Sequence, residues 1–386
     1  MVAFGPVTSL LRQRHLLARF WQSASLFWRK ERAKAWGLVV FLIVIVLLQL
    51  LLQVLLNLWN RNFFDALGRR DAPALWAQAQ LFLPLAATSI FLAATSVWGR
   101  MTTQRSWRES MTRHVLDRWL ENDRFRRLNH LMRGTENPEF RIAVDVRVAT
   151  DSPIDLTLAL FSSVLTSITF FEVLWTVGGS IEFPLFGHSI TIPGYLVFAV
   201  VLYSGGVSAL MILFGHHLTD VSERMSQAEA EFRAAVDAFR GIPNGSPPAP
   251  TDGDLRPKAE LSLQTVLLWW REYCWQLVRT TLVSHANFLF SPVVAWVLCA
   301  PKYISGAMSL GELTQSAAAF VVVQSAFNWL VDNFQRLADW QSSAHRVATL
   351  LLALDELEAK ESAAEPAPSA QGEAAMSPSP ALPPAT

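Results

Sequence analysis

Residues 35–60 read AWGLVVFLIVIVLLQLLLQVLLNLWN, 26 residues without a charge between Lys34 and Arg61. As a helix rising about 1.5 Å per residue this stretch is roughly 39 Å long. That is enough to cross a hydrocarbon core of about 30 Å with some tilt. Apolar residues occupy every face, so no side of the helix is built for water. A buried helix in a large soluble protein would also read this way, but the pattern recurs along the chain.

A second uncharged run spans 72–99, with Pro84 in its middle, and a third spans 156–181 with one acid, Glu172. A fourth covers 183–215, its apolar helix expected from about Ile192, and a fifth covers 280–301. A sixth lies between Glu312 and Asp332. Composition agrees: of 386 residues, 52% are hydrophobic and only 17% charged, with 15 Trp and 24 Phe. The expected fold class is an all-α membrane protein with six transmembrane helices. Net charge is zero, which removes the global basic signal of a nucleic-acid partner.

Orientation follows from Lys and Arg in the connections. Residues 1–34, 99–153, 215–275 and those after 334 carry 7, 11, 6 and 3, against four on the other side (Arg61, Arg69, Arg70 and Lys302). Both termini are therefore expected in the cytoplasm. The first apolar run starts too late and is too long for a cleaved signal peptide. Residues 9–34 mix Leu, Phe and Trp with Arg at near-helical spacing, read as an interfacial amphipathic helix or as a plain positive flank. The expected organisation is a cytoplasmic N-terminal segment over 1–34, a transmembrane domain over 35–358 and a low-complexity, disordered Ala/Pro-rich tail over 359–386.

The long cytoplasmic connections have a helical period. Trp107, Met111, Val115, Leu116 and Trp119 fall on one face, so the second span is expected to continue outward as helix. Turns are expected around Arg133-Gly134 and Asn137-Pro138. The stretch GIPNGSPPAPTDGDLRP, 241–257, is expected to be non-helical and mobile.

No catalytic constellation emerges. A phosphate-binding loop needs GxxxxGK[ST], and none of the five lysines follows a glycine. No nucleotide cofactor site is expected in this chain, so ATP would enter only through a partner subunit. Cys274 and Cys299 have no CxxC spacing, and neither a disulfide nor a metal site is expected of them. His216-His217 with Asp220 reads as a polar helix end rather than a metal site. Glu172 is either a proton- or substrate-binding acid or a residue near the outer interface. Asp332, Asn333 and Arg336 either line a cavity or, more simply, mark the inner boundary of the last span. Polar residues inside the spans, among them Gln315, Gln324 and Asn328, fit a polar pathway or interhelical hydrogen bonds equally well.

Six spans with long cytoplasmic extensions resemble the membrane half of an exporter-type ABC transporter. WRKERAKAWGL (28–38), LNLWNRNFFDAL (56–67), WRESMTRHVLDRWLENDRFRRL (107–128), ENPEFRIAVDVRVAT (136–150), QAEAEFRAA (227–235) and FNWLVDNFQRLADWQSSAHRVATL (327–350) narrow it. They resemble the SbmA/BacA-like transporters and the ABC proteins carrying the same membrane domain fused to an ATPase. The resemblance covers about residues 25–355. It implies a homodimeric inner-membrane permease for peptides or other bulky solutes, driven by the proton gradient or by an ATPase. It also implies that Asn137, Pro138, Arg141 and Asp145 lie at a cytoplasmic tip that meets the ATPase. The chain departs from the family in two places. The expected fused ATPase is replaced by the Ala/Pro tail, and the second tip carries the Pro/Gly-rich stretch. A non-transporting relative acting as a partner or regulator of a full transporter is the third reading.

Overall fold

The computed structural model describes residues 19–131, 138–185, 188–241 and 252–364. The helices are α1 (Leu26–Lys30), α2 (Arg32–Gly68), α3 (Ala72–Leu120), α4 (Arg124–Leu131), α5 (Val146–Gly178), α6 (Tyr195–Asp237), α7 (Asp252–Ile304), α8 (Leu310–Phe327) and α9 (Trp329–Ala364). A π-helical turn over Arg141–Asp145 leads into α5. One antiparallel hairpin, β1 (Ser180–Leu185) with β2 (His188–Pro193), separates α5 from α6. Among the described residues, five helices are long and apolar enough to cross a bilayer. The sixth expected span appears as α8, 18 residues long or about 27 Å.

The chain divides into two compact units. Unit 1 comprises residues 1–38, 101–154 and 337–386; unit 2 comprises 39–100 and 155–336.

In unit 1 the expected stripe of α3 is the buried one. Trp107, Met111 and Val115 are at most 3% exposed. The N-terminal segment departs from an interfacial helix lying among lipid headgroups. Residues 19–24 are helical, Phe20 and Phe27 are fully buried, and the Trp107 indole N–H donates to the Ala24 carbonyl at 3.1 Å. The Trp21 and Trp28 rings pack on Trp107. Its aromatics meet protein because α3 offers an apolar face at the same register. α3 stops where Asn122 and Asp123 take left-handed backbone angles (φ 51° and 54°). Asn and Asp are the non-glycine residues that tolerate this region best.

Unit 2 is built around Phe170 and Leu174 of α5, Leu196 and Val200 of α6, and Ala319, Phe320 and Val323 of α8, all completely buried. Between helices in lipid the hydrophobic effect offers little, so close van der Waals packing of such residues does the holding. Two expectations change here, and one is met within three residues. The apolar helix expected from about Ile192 starts at Tyr195, preceded by a hairpin, Ser180–Leu185 with His188–Pro193, that was not expected. Gly194, at φ 60°, makes the turn between them. It donates its N–H to the Gly179 carbonyl at 2.9 Å. The last span ends at Asn328 rather than Val331, and a fresh helix begins at Trp329. The stretch expected to be non-helical up to Pro257 is helical from Asp252. The second turn at residues 242–251 and the tail beyond 364 lie outside the described residues. α9 nevertheless continues six residues past the expected boundary at 358.

Candidate transport core and coupling tip

The tip segment belongs to unit 1. Pro138 is buried at the start of a single helical turn, and the π-helical turn follows it. A π turn widens the backbone by one residue and re-aims the side chains on it. Here it directs Arg141 and Asp145 at α9. Arg141, 6% exposed, donates to the Arg346 carbonyl at 3.1 Å. Asp145, 1% exposed, accepts two bonds from the Arg346 guanidinium at 2.9 and 2.7 Å. This is the bidentate fork that arginine forms best with a carboxylate. The hydrogen bond to Asp145 is the main reason the Arg346 guanidinium is held above its ordinary pKa. The Trp340 indole N–H donates to the Ala149 carbonyl at 3.3 Å one turn further on. Glu139, Phe140 and Ala143 are exposed in the segment, and the first two carry its large side chains. Asn137, also expected at the tip, lies outside the described residues.

A second ionic network in unit 1 was not anticipated. Arg19 forks onto Asp355 at 2.6 and 2.7 Å. Arg118 reaches Asp355 at 2.6 Å and Glu358 at 2.8 Å. Arg124, 4% exposed, joins Glu358 at 2.7 Å to Glu361 at 2.8 Å, and Arg127 meets Glu361 at 3.0 Å. The signal was the three-residue spacing of acids at 355, 358 and 361, which puts them on one helix face. It was hidden because the segment from 359 reads as low-complexity tail.

In unit 2 the four expected span residues do not gather into one site. Arg336 donates to Asp155 at 2.7 Å, and Arg100 lies 3.3 Å from the same carboxylate. Asn333 turns back on its own helix and donates to the Trp329 carbonyl at 2.9 Å. Asp332 is exposed. Arg336 of α9, Asp155 and Arg100 therefore form an Arg-Asp-Arg junction, centred on an Asp155 that sequence reasoning missed. Glu172 projects from the exposed face of α5, alongside Ile168 and Trp175 and opposite the buried Phe170 and Leu174. It points away from this chain's own core.

Of the polar span residues, Gln315 and Gln324 on α8 are 2% and 3% exposed. The Asn57 side chain donates to the Gln315 carbonyl at 3.2 Å, an interhelical bond of the expected kind. The Gln315 Oε1 and the Gln324 amide nitrogen are buried without a hydrogen-bond partner among the described residues. Such atoms in an apolar interior call for water or a ligand. His217 and Asp220 line a cavity with Arg224 and Arg279, a setting that disfavours a cation.

The comparisons with known proteins agree with this architecture. A family model described as ABC transporter transmembrane region 2 matches residues 25–238, more than half of the chain. The chain is 26% identical over 341 residues to the inner membrane ABC transporter ATP-binding protein YddA of Escherichia coli, covering 86% of this chain and 60% of the relative. It is 24% identical over 348 residues to an uncharacterized ABC transporter ATP-binding protein of Synechocystis, spanning half of it. It is 23% identical over 342 residues to ABC transporter D family member 2, chloroplastic, of Arabidopsis thaliana, spanning 45% of that protein. The chain thus spans about half the length of the curated relatives it matches. With five to six long apolar helices and this match, the chain is a multi-pass membrane protein that belongs to the ABC transporter transmembrane region 2 family.

Proposed function

We propose that this chain is the permease half of an ABC-type transporter in a bacterial inner membrane, with both termini cytoplasmic. Two copies would enclose a central path for peptides or other bulky solutes, powered by ATP hydrolysis on a partner subunit or domain. The observation that carries this reading is the tip beside α9. Arg141 and Asp145 are committed to Arg346, which stiffens the segment and leaves Glu139 and Phe140 outward as a docking surface. A rigid connector is what transmits a distant conformational step. That the relatives are named ATP-binding proteins supports such a partner. In this reading Arg141 and Asp145 are positioning residues, and the exposed pair meets the ATPase.

A second reading, the gradient-driven SbmA/BacA-like mode, is favoured by Glu172. A carboxylate on a span, facing away from its own chain's core, suits a cavity enclosed by two copies. Protonation there would remove a charge that is costly to desolvate and so bias which side is open.

The test is uptake of a fluorescent proline-rich peptide into cells expressing this chain, with and without an ATP-binding relative, and with and without a protonophore. ATP-coupled transport predicts uptake that requires the relative and is lost in Glu139→Lys/Phe140→Ala at unchanged expression. Uptake by the chain alone that collapses with the protonophore and in Glu172→Gln would replace that reading with the gradient-driven one. No uptake under any condition would leave the partner or regulator role.

A further inference from the structure

We propose that the cavity between α6 and α7 in unit 2 binds the phosphate headgroup of an anionic phospholipid. The cavity measures about 410 Å³, and a larger one of about 730 Å³ adjoins it, sharing Trp269, Glu272 and Arg279. α6 contributes His217, Asp220, Val221 and Arg224, spaced three and four apart and hence on one face. α7 answers with Trp269, Gln276 and Arg279, and the adjoining cavity adds Arg271 and Trp275.

Three observations favour a lipid phosphate. The first is charge. Three arginines meet two acids, Asp220 and Glu272. No ion pair forms between them among the described residues. Guanidinium groups are the side chains best shaped for phosphate oxygens. The second is depth. Arg279 directly precedes the fifth apolar run and His217 follows the fourth by two residues, about 3 Å along a helix. Trp275 lies about 6 Å from Arg279 on the same scale. That puts the Arg279 end of the cavity at headgroup depth, where a headgroup layer is about 5–8 Å thick and tryptophan is enriched, while Arg224 and Trp269 at its other end lie about 14–17 Å beyond the apolar runs, within reach of a headgroup's outer charge. The third is rigidity. Gln276, 3% exposed, donates to the Phe214 carbonyl and joins the two helices at the cavity's edge. The Arg224 guanidinium lies over the Trp269 ring at 5.0 Å, which holds both side chains in place. Basic pockets between helices at the membrane surface are the places where anionic headgroups settle. This inference needs only the membrane architecture and does not depend on what is transported.

Native mass spectrometry of the full chain in detergent tests it, titrating phosphatidylglycerol against phosphatidylcholine of the same acyl chains. Phosphatidylglycerol adducts are expected at about tenfold lower lipid concentration, and Arg224→Gln/Arg279→Gln should abolish that preference. Arg256→Gln, whose guanidinium pairs with Glu260 outside the cavity, should leave it unchanged. Should the double variant not purify, Arg224→Gln alone is expected to lower the preference about threefold. Equal binding of the two lipids, or a preference that survives the variants, overturns the proposal. Displacement by millimolar inorganic phosphate would assign the cavity to a soluble phosphate instead. Adducts on the monomer but never on the dimer would mean that a second copy covers it.

Discussion

The two units are held together by different chemistry. Unit 1 adds to a buried apolar core, Phe20, Val115, Leu128, Leu350 and Leu354 among it, a set of arginine–carboxylate pairs: Arg19, Arg118, Arg124 and Arg127 on three acids of α9, and Arg346 on Asp145. Unit 2 relies on shape, with an aliphatic and aromatic cluster drawn from α5, α6 and α8 and glycines where backbones or rings come close. Its ion pairs sit at the ends of apolar stretches, such as Arg61 with Glu312 at 2.7 Å and Arg336 with Asp155. Water explains the division. A charged network gains direction from forked geometry where solvent can hydrate its outer atoms. In a lipid-facing bundle the same charges would carry a desolvation penalty that packing does not. Unit 1 should therefore respond to charge and pH, and unit 2 to volume.

The largest effect is expected at Arg346. Arg346→Gln leaves the Asp145 carboxylate, 1% exposed, buried without its fork. Losing one partner of a buried pair costs about 3–5 kcal/mol, and the partial exposure of Arg346 points to the lower end. Hydrogen exchange should show lost protection over 138–150 and 340–350, with 195–215 unchanged. Equal loss in both stretches would break the comparison, because it would make the units one cooperative body. Gly194→Ala is the matching test in unit 2. The added Cβ would fall 2.2 Å from the Trp175 ring at φ 60°, and the expected cost is about 2 kcal/mol. Gly205→Ala, where no atom lies within 4 Å, should be neutral or slightly stabilising on helix propensity. Thermal unfolding in detergent separates the two. Similar values would mean that shape is not what governs unit 2.

The apolar helices were legible because uncharged runs of this length are a local property, readable without a partner. So was the α3 stripe, since Trp107, Met111 and Val115 repeat every four residues. The hairpin was not read: Ile181, Phe183, Ile190 and Ile192 do alternate, but the segment stood at the head of the uncharged run 183–215 and was taken as the lead into the fourth span. The charged junctions were not legible. Asp145 and Arg346 are 201 residues apart and Asp155 and Arg336 are 181 apart, and no local pattern names a partner at that distance. The tip residues were named from a resemblance alone, and the packing of Arg141 and Asp145 on α9 was not foreseen. Burial of Arg141 and Asp145 follows from the π turn, which composition does not announce.

The smallest expected effect sharpens the comparison through pH. Burial, with Arg118 and Arg19 nearby, holds the His114 imidazole below its ordinary 6.5. The folded chain then takes up this proton less readily than the unfolded one. Stability from His114 is complete above about pH 6.5 and declines as pH falls below it. The acids of α9 act lower. Burial alone would raise Asp355, but hydrogen bonds from Arg19 and Arg118 outweigh it and bring the carboxyl below 3.8. Arg118 and Arg124 hold Glu358 and Glu361 below 4.5. Their contribution is present above those ordinary values and lost as pH falls through the folded ones. Acidification should therefore loosen unit 1 in two steps, a shallow one from about pH 6.5 and a steeper one below about 4.5. Exchange protection over 110–128 should show both, while 195–215 stays flat. His114→Gln should erase the first step alone and Glu358→Gln should weaken the second. A first step that persists in His114→Gln would remove histidine from the account and leave the carboxylates as the sole acid-sensitive part of unit 1.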